Sequence, residues 1–427
     1  MSEAAWVLTL GTGALFILGV PIVFAIGIAS LGALVLADVG IVILSQKMIQ
    51  GSTIFSLLAV PCFILAGDIM QTGGLASRLI NVARVLVRHL TGGLGMVTVL
   101  SATFFAALSG SSPATTAAIG SIMIPEMEKR GYRRDFSTAL AASAGPLGQM
   151  IPPSIPMVIW GVISETSITA LFFAGIVPGL LTSFGLMVVC YWVARAQGVL
   201  GDEHRASGRE LLAAVADGKW ALLTPLIILG GIYGGVFTPT EAGAVAVAYS
   251  LVIGVFVHRE MKLSDLPGIL LKSMRTTAIA VFILTTALSF GFLIALEDLP
   301  ARVTQLLFAV SDDPVVVLLM LNLLLLIIGA FMDTISAMVI LATVLIAIGQ
   351  QLGLDPVHLG AIVVINLAIG FLTPPFGINL FVGAAISGLR VEAIARAIWP
   401  MLLVEILVLL AVTYIPAVTL TIPRLLE

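Results

Sequence analysis

Four short polar stretches interrupt long apolar sequence, and their residue types suit ion binding rather than covalent chemistry. The first, ALSGSSPATTAAIG (107–120), sets Pro113 behind Gly110, Ser111 and Ser112, so the chain can turn where an amide donor is missing. The second, GPLGQMIPPSIP (145–156), carries Pro152 and Pro153 side by side, which removes two amides and frees the carbonyls they would have bonded. The third, GAFMDTISA (329–337), carries Asp333, and the fourth, NLAIGFLTPPFGIN (366–379), carries a second pair, Pro374 and Pro375. In lipid each unmet backbone group costs on the order of several kcal/mol, so such breaks persist only inside protein or beside a wet cavity. Freed carbonyls at half-helix ends make a hard oxygen cage suited to Na+, while half-helix N-termini attract carboxylates. A carboxylate such as Asp333 at membrane depth is a functional candidate by default.

Each feature also has a plainer use. A Pro-Pro pair can kink a helix for packing, Ser and Thr can join helices by hydrogen bonds, and Asp is a preferred helix N-cap. Against the plain readings stands recurrence: four interruptions fall at matched places in two copies of one pattern.

The elements that carry these stretches are membrane spans. Of 427 residues, 59% are hydrophobic and only 10% charged, and mean hydropathy is +1.16. So little charge cannot cover a soluble surface. Apolar segments lie near 5–19, 22–37, 51–70, 92–128, 135–164, 168–195, 220–236, 240–257, 276–296, 314–350, 357–388 and 398–420. Segments 92–128 and 314–350 are about twice as long as one crossing and are each broken mid-way, which fits a re-entrant hairpin. A net charge of −3 gives no basic surface for nucleic acid. Cys62 and Cys190 both lie in apolar runs and read as packing residues. The N-terminus has no basic leader or cleavage site and reads as the start of a retained span. No GxxxxGK[ST] loop and no nucleophile–base set is present, and His89, His204, His258 and His358 are scattered over loop positions without metal-ligand spacing. These features exclude ATP hydrolysis by this chain and oppose an intramembrane enzyme, so the driving force is an ion gradient or a partner.

Charge placement orients the spans. With both ends of the first hairpin in the cytoplasm, all but three of the 20 Lys and Arg residues (Lys47, Arg302 and Arg424) fall inside, including those of loops 195–219 and 258–275. The second hairpin then opens outward, and both termini are extracytoplasmic. A shift of 222 positions superimposes the halves over about 75 residues: Gly131 meets Gly353, Gly148 meets Gly370, Pro152-Pro153 meets Pro374-Pro375, Gly161 meets Gly383 and Pro178 meets Pro400. Asp333 takes the place of Ser111. Two copies facing opposite ways, each with an interrupted helix, are the signature of secondary transporters.

Other motifs read structurally. In FTPTEAG (237–243), Thr238 and Glu241 form a capping box with Pro239 at the first helical position. Asp68 reads as solvated near the cytoplasmic end of its span. Segment 76–90, with Arg78, Arg84, Arg88 and His89 among apolar residues, reads as an interfacial arm.

At these stretches the sequence resembles the large membrane subunit (DctM/SiaM-type) of tripartite ATP-independent periplasmic (TRAP) transporters. The matching segments are SLLAVPCFILAGDIM (56–70), LSGSSPATTAAIGSIMIP (108–125), MIPPSIPMVIWGV (150–162), FTPTEAGAVAV (237–247) and GFLTPPFGINLFV (370–382). The resemblance implies an all-α polytopic membrane protein of the ion-transporter-superfamily kind: an inverted-repeat, elevator-type transporter with two re-entrant hairpins and two discontinuous helices. Scaffold would occupy 1–91 (with the arm), 167–313 and 390–427, and the transport domain 92–166 and 314–389. It implies Na+ coupling, with one site among Ser109, Gly148, Ile151 and Pro153 and a second among Asp333, Thr334, Gly370, Thr373 and Pro375. Substrate would lie near Ser111, Ser112 and Asn379, held by dipoles, hydroxyls and sodium, since these motifs contain no Arg or Lys. Implied partners are a small four-helix membrane subunit, here expected as a separate chain, and a periplasmic binding protein that delivers an organic acid across the bacterial inner membrane. The first tip is closest to C4-dicarboxylate subunits, with sialic acid and other sugar acids as alternatives. A freestanding ion-coupled carrier remains the other reading.

Overall fold

The computed structural model describes residues 2–199, 201, 205–374 and 376–426. Among these, the ordered elements are helices, with no strands. Seven helices are long and apolar enough to cross a membrane, and three further pairs meet the same test across a bend of more than 40°. Large apolar side chains face outward along single helix stripes, such as Phe24, Ile28, Leu31 and Val35, or Leu319, Leu323 and Ile327. That is the surface a hydrocarbon solvent requires, with backbone polar groups satisfied inside each helix.

The first hairpin is built from Gly93–Ser109 and Ser112–Lys129, which pack along each other. The second, from Pro314–Phe331 and Thr334–Gln351, is splayed, and Pro356–Gly370 seats against both of its arms. Each hairpin is followed by a broken helix. In the first copy Arg134–Ser143 and the short turn Leu147–Met150 give way to Ile155–Ile163; in the second Pro356–Gly370 gives way to Ile378–Ser387. Each outgoing half reaches across to the other copy. Ile155–Ile163 packs on Thr334–Gln351 and Pro356–Gly370, and Ile378–Ser387 packs on Ser112–Lys129 and Arg134–Ser143.

The arm helix runs Leu75–Val87 after Gly74 in the left-handed conformation. It buries Leu75, Ala76, Leu79, Ile80, Val82 and Ala83, while Arg78 pairs with Glu260 (2.6 Å), Arg84 with Glu126 and Arg88 with Glu210 (2.9 Å). Segment 297–313, expected as a flanking loop, instead holds a second arm, Leu299–Val310, again entered through a left-handed residue, Asp298. The 222-residue shift places this helix on the first arm, so it is the arm's repeat. The loops expected at 195–219 and 258–275 are also partly helical, because the spans Gly208–Tyr233 and Leu266–Leu296 begin well before their apolar stretches. The capping box at Thr238 and Glu241 is present, with both reciprocal bonds and Pro239 in the first turn. His358 is not a loop residue. It lies buried in the first turn of Pro356–Gly370, its Nδ1 2.7 Å from the Thr419 hydroxyl. His204 lies outside the described residues.

Candidate functional site

At the first tip Gly110 ends its helix in the left-handed region (φ +60°), and a Cβ there would meet the Pro153 carbonyl at 2.7 Å. Glycine is therefore required twice over, by conformation and by the closeness of the break. Ser111 is extended, and Ser112-Pro113 opens the next helix. The Ile155 amide donates to the Gly110 carbonyl (3.2 Å), so the tip and the break of the first copy are tied backbone to backbone. Ser109 Oγ lies 2.7 Å from Thr115 Oγ1, which donates to the Ser111 carbonyl (2.9 Å). Gly148 lies directly against that same carbonyl. Ile151 is extended, and it and Pro153 are buried beside the cis Pro152-Pro153 peptide.

In the second copy Asp333 caps Thr334–Gln351: one oxygen accepts from the Ser336 amide (3.0 Å) and the other from the Ser336 hydroxyl. The tip presses on its break at Gly329 and Gly370, where a Cβ on Gly370 would come within 2.5 Å of the Gly329 carbonyl carbon. Thr373 folds back on its own turn, its amide donating to the Gly370 carbonyl (3.0 Å). Pro375 lies outside the described residues. Thr334 reaches across to the first copy, where its hydroxyl donates to Gln149 Oε1 (3.1 Å).

Both tips face one cavity of about 720 Å³. Ser109, Ser111, Asp333 and Thr334 line it, together with Gln149 and Phe371 from the two breaks. Ser112 and Asn379 do not. They are buried behind the wall, bonded to each other (Asn379 Nδ2 to Ser112 Oγ, 2.7 Å), and Asn379 also reaches the Ala142 carbonyl (3.2 Å). The opposite wall comes from the spans Phe55–Thr72 and Leu263–Leu296, through Ile64, Asp68, Lys272, Ile279 and Ile283.

Asp68 corrects the sequence reading. It is not a solvated residue; its carboxylate accepts from Lys272 (2.6 Å) and from the Ser273 hydroxyl (2.7 Å). An acid near the end of a span looks solvated until the neighbouring helix is placed. Lys272 thereby puts into the cavity a positive charge that the tip motifs lack. Thr115 and Gln149, both inside the interrupted stretches, join the site as well. Their hydroxyl and amide among prolines and glycines were the available signal.

The donors gathered at each tip are oxygens: hydroxyls and a carbonyl at the first, a carboxylate at the second. Hard cations take such donors. Sodium therefore fits the chemistry of the residues present.

An all-helical, lipid-facing bundle whose two polar tips share one cavity defines a membrane transport protein. A family model described as the DctM component of the tripartite ATP-independent periplasmic transporter matches residues 10–418. The large permease DctM of a C4-dicarboxylate TRAP transporter from Pseudomonas aeruginosa is 46% identical, over 89% of both chains. An isethionate TRAP transporter permease, DctMQ, from Oleidesulfovibrio alaskensis is 45% identical over 85% of this chain, which spans 57% of that relative's length. The sialic acid large permease SiaM of Vibrio cholerae is 38% identical, over 89% of both. In structure, the YdaH transporter of Alcanivorax borkumensis matches with a TM-score of 0.63 over 87% of both chains at 17% identity, a likeness of fold alone. This chain belongs to the DctM family of tripartite ATP-independent periplasmic transporter components.

Proposed function

We propose that the chain is the large permease of a sodium-coupled, binding-protein-dependent importer that carries a small organic acid across the bacterial inner membrane, both termini on the periplasmic side. The observation that supports this most is the shared cavity, into which both interrupted elements bring oxygen donors and Asp333. Ser109, with the Ser111 carbonyl and the residues around Gly148, Ile151 and Pro153, holds one sodium; Asp333 and the turn from Gly370 to Thr373 hold the second. Bound sodium supplies positive charge that lets a carboxylate rest beside Asp333. Ser111 and the N-terminus of Ser112–Lys129 present hydroxyl and amide donors to that carboxylate. Ser112 and Asn379, bonded to each other, fix the tip that does so. In the elevator motion, hairpins and broken helices slide as one body against the spans that form the far wall. A small membrane subunit braces that wall, and a periplasmic binding protein delivers the acid.

The acid belongs to the group formed by C4-dicarboxylates, sialic acids and isethionate, the cargoes named for the relatives. Uptake of radiolabelled succinate, N-acetylneuraminate and isethionate into proteoliposomes tests the reading, with the small subunit and binding protein each added or withheld, with and without a sodium gradient. One of the three accumulates only with sodium and binding protein. Uptake without the binding protein would establish a freestanding carrier, and uptake indifferent to sodium would remove the coupling.

A further inference from the structure

We propose that Lys272 is the cationic contact for the transported acid on the far wall of the cavity, and that Asp68 is its intramolecular competitor. This rests on the transport reading above. Three ionisable side chains line the cavity among the described residues: Asp68, Asp333 and Lys272. Of these, Lys272 alone is cationic, so it is the one side-chain charge in the cavity that attracts an acid. That group is placed to be shared. The Lys272 side chain is 63% exposed while that of Asp68 is 15% exposed, so the acid is the more enclosed partner, and the lysine lines the cavity beside it. The Ser273 hydroxyl, one residue along on the same helix, donates to the second Asp68 oxygen and anchors the carboxylate independently of the lysine.

An ammonium has three donors, of which Asp68 takes one, and its flexible stem lets the charge swing. The cargo's acidic group binds one of the remaining donors and draws the ammonium off Asp68. When the cargo leaves, Asp68 recaptures the charge, so the wall is electrically closed between cycles. The subsite takes a carboxylate or sulfonate. It lies on the spans Phe55–Thr72 and Leu263–Leu296, apart from the tips.

A salt bridge that merely joins two spans predicts the same phenotype whichever partner is removed. The competitor arrangement predicts opposite ones. In the proteoliposome assay with small subunit and binding protein, the succinate, N-acetylneuraminate or isethionate that the wild type transports is used as probe. Lys272→Met raises KM by about ten- to a hundredfold, the loss of one charge-assisted contact. Lys272→Arg stays within about threefold, since charge and donors persist. Asp68→Asn lowers KM and lowers kcat, because the freed ammonium holds cargo longer. Melting temperatures in detergent are measured on every variant. Met and Asn variants that raise KM together, with matching losses of melting temperature, would overturn the proposal in favour of a structural bridge. So would a Lys272→Met protein with wild-type KM. If Lys272→Met fails to fold, the direction of the Asp68→Asn shift decides. A wild type that transports none of the three probes would overturn the cargo assignment above, a result distinct from either.

Discussion

The Thr334 hydroxyl donates to Gln149 Oε1 at 3.1 Å, joining the tip of the second copy to the break of the first. Both groups are buried, and the two residues are 185 positions apart. Thr334→Val keeps shape and removes the donor, leaving a buried amide oxygen unsatisfied at a cost of about 1–3 kcal/mol. The melting temperature in detergent should fall, and Gln149→Leu added to Thr334→Val should recover part of the loss. A double variant as unstable as the sum of both single variants would show that the bond does not couple the copies.

Asp333 caps its helix and, in the proposed reading, also holds a sodium, and substitution can separate the two. Asn caps a helix about as well as Asp, so Asp333→Asn keeps the cap and removes the charge, whereas Asp333→Ala removes both, at about 0.5–2 kcal/mol for the cap alone. Asp333→Asn should raise the sodium concentration for half-maximal uptake while its melting temperature stays near wild type. An unchanged sodium curve in that variant would dismiss the carboxylate as a ligand.

Ser109→Ala removes one oxygen from the group around the Ser111 carbonyl and leaves Thr115 without its hydroxyl neighbour. Half-maximal sodium should rise here too, with little change in substrate KM at saturating sodium. Uptake titrated against both solutes separates the two effects.

Gly370→Ala should destabilise outright. Its Cβ would fall 2.5 Å from the Gly329 carbonyl carbon, which is backbone and cannot rotate aside, so the tip and the break must part. Overpacking of this kind costs about 1–3 kcal/mol. A melting temperature equal to wild type would mean that the second tip moves freely over its break.

Much of this architecture could be read before any coordinates. Gly110, Ser111, Pro113 and the Pro-Pro pairs announce where helices stop, because glycine and proline act on the backbone of their own segment. Asp333 at a tip, and the capping box at Thr238 and Glu241, are likewise local signals. Pairings across the bundle were beyond reach. Nothing in LAGDIM or LLKSM says that Asp68 meets Lys272, 204 positions later. The resemblance places Asn379 and Ser112 near substrate, whereas in the fold they bond to each other behind the cavity wall, which only the packing of Ile378–Ser387 on the first hairpin decides. The second arm, Leu299–Val310, is hidden in the sequence for a different reason. Its apolar period is short and sits among acidic flanks, so it looked like a linker until the repeat placed it on the first arm.

The reach of each outgoing half-helix into the other copy bears on how the chain can come into being. Ile155–Ile163 has part of its seat on elements of the second copy, and Ile378–Ser387 packs mainly on elements of the first. Neither repeat is a self-sufficient unit, so a protein cut at the midpoint would leave both outgoing segments without their partners in the other half. During synthesis, the first break must wait, half assembled, until some two hundred further residues have entered the bilayer.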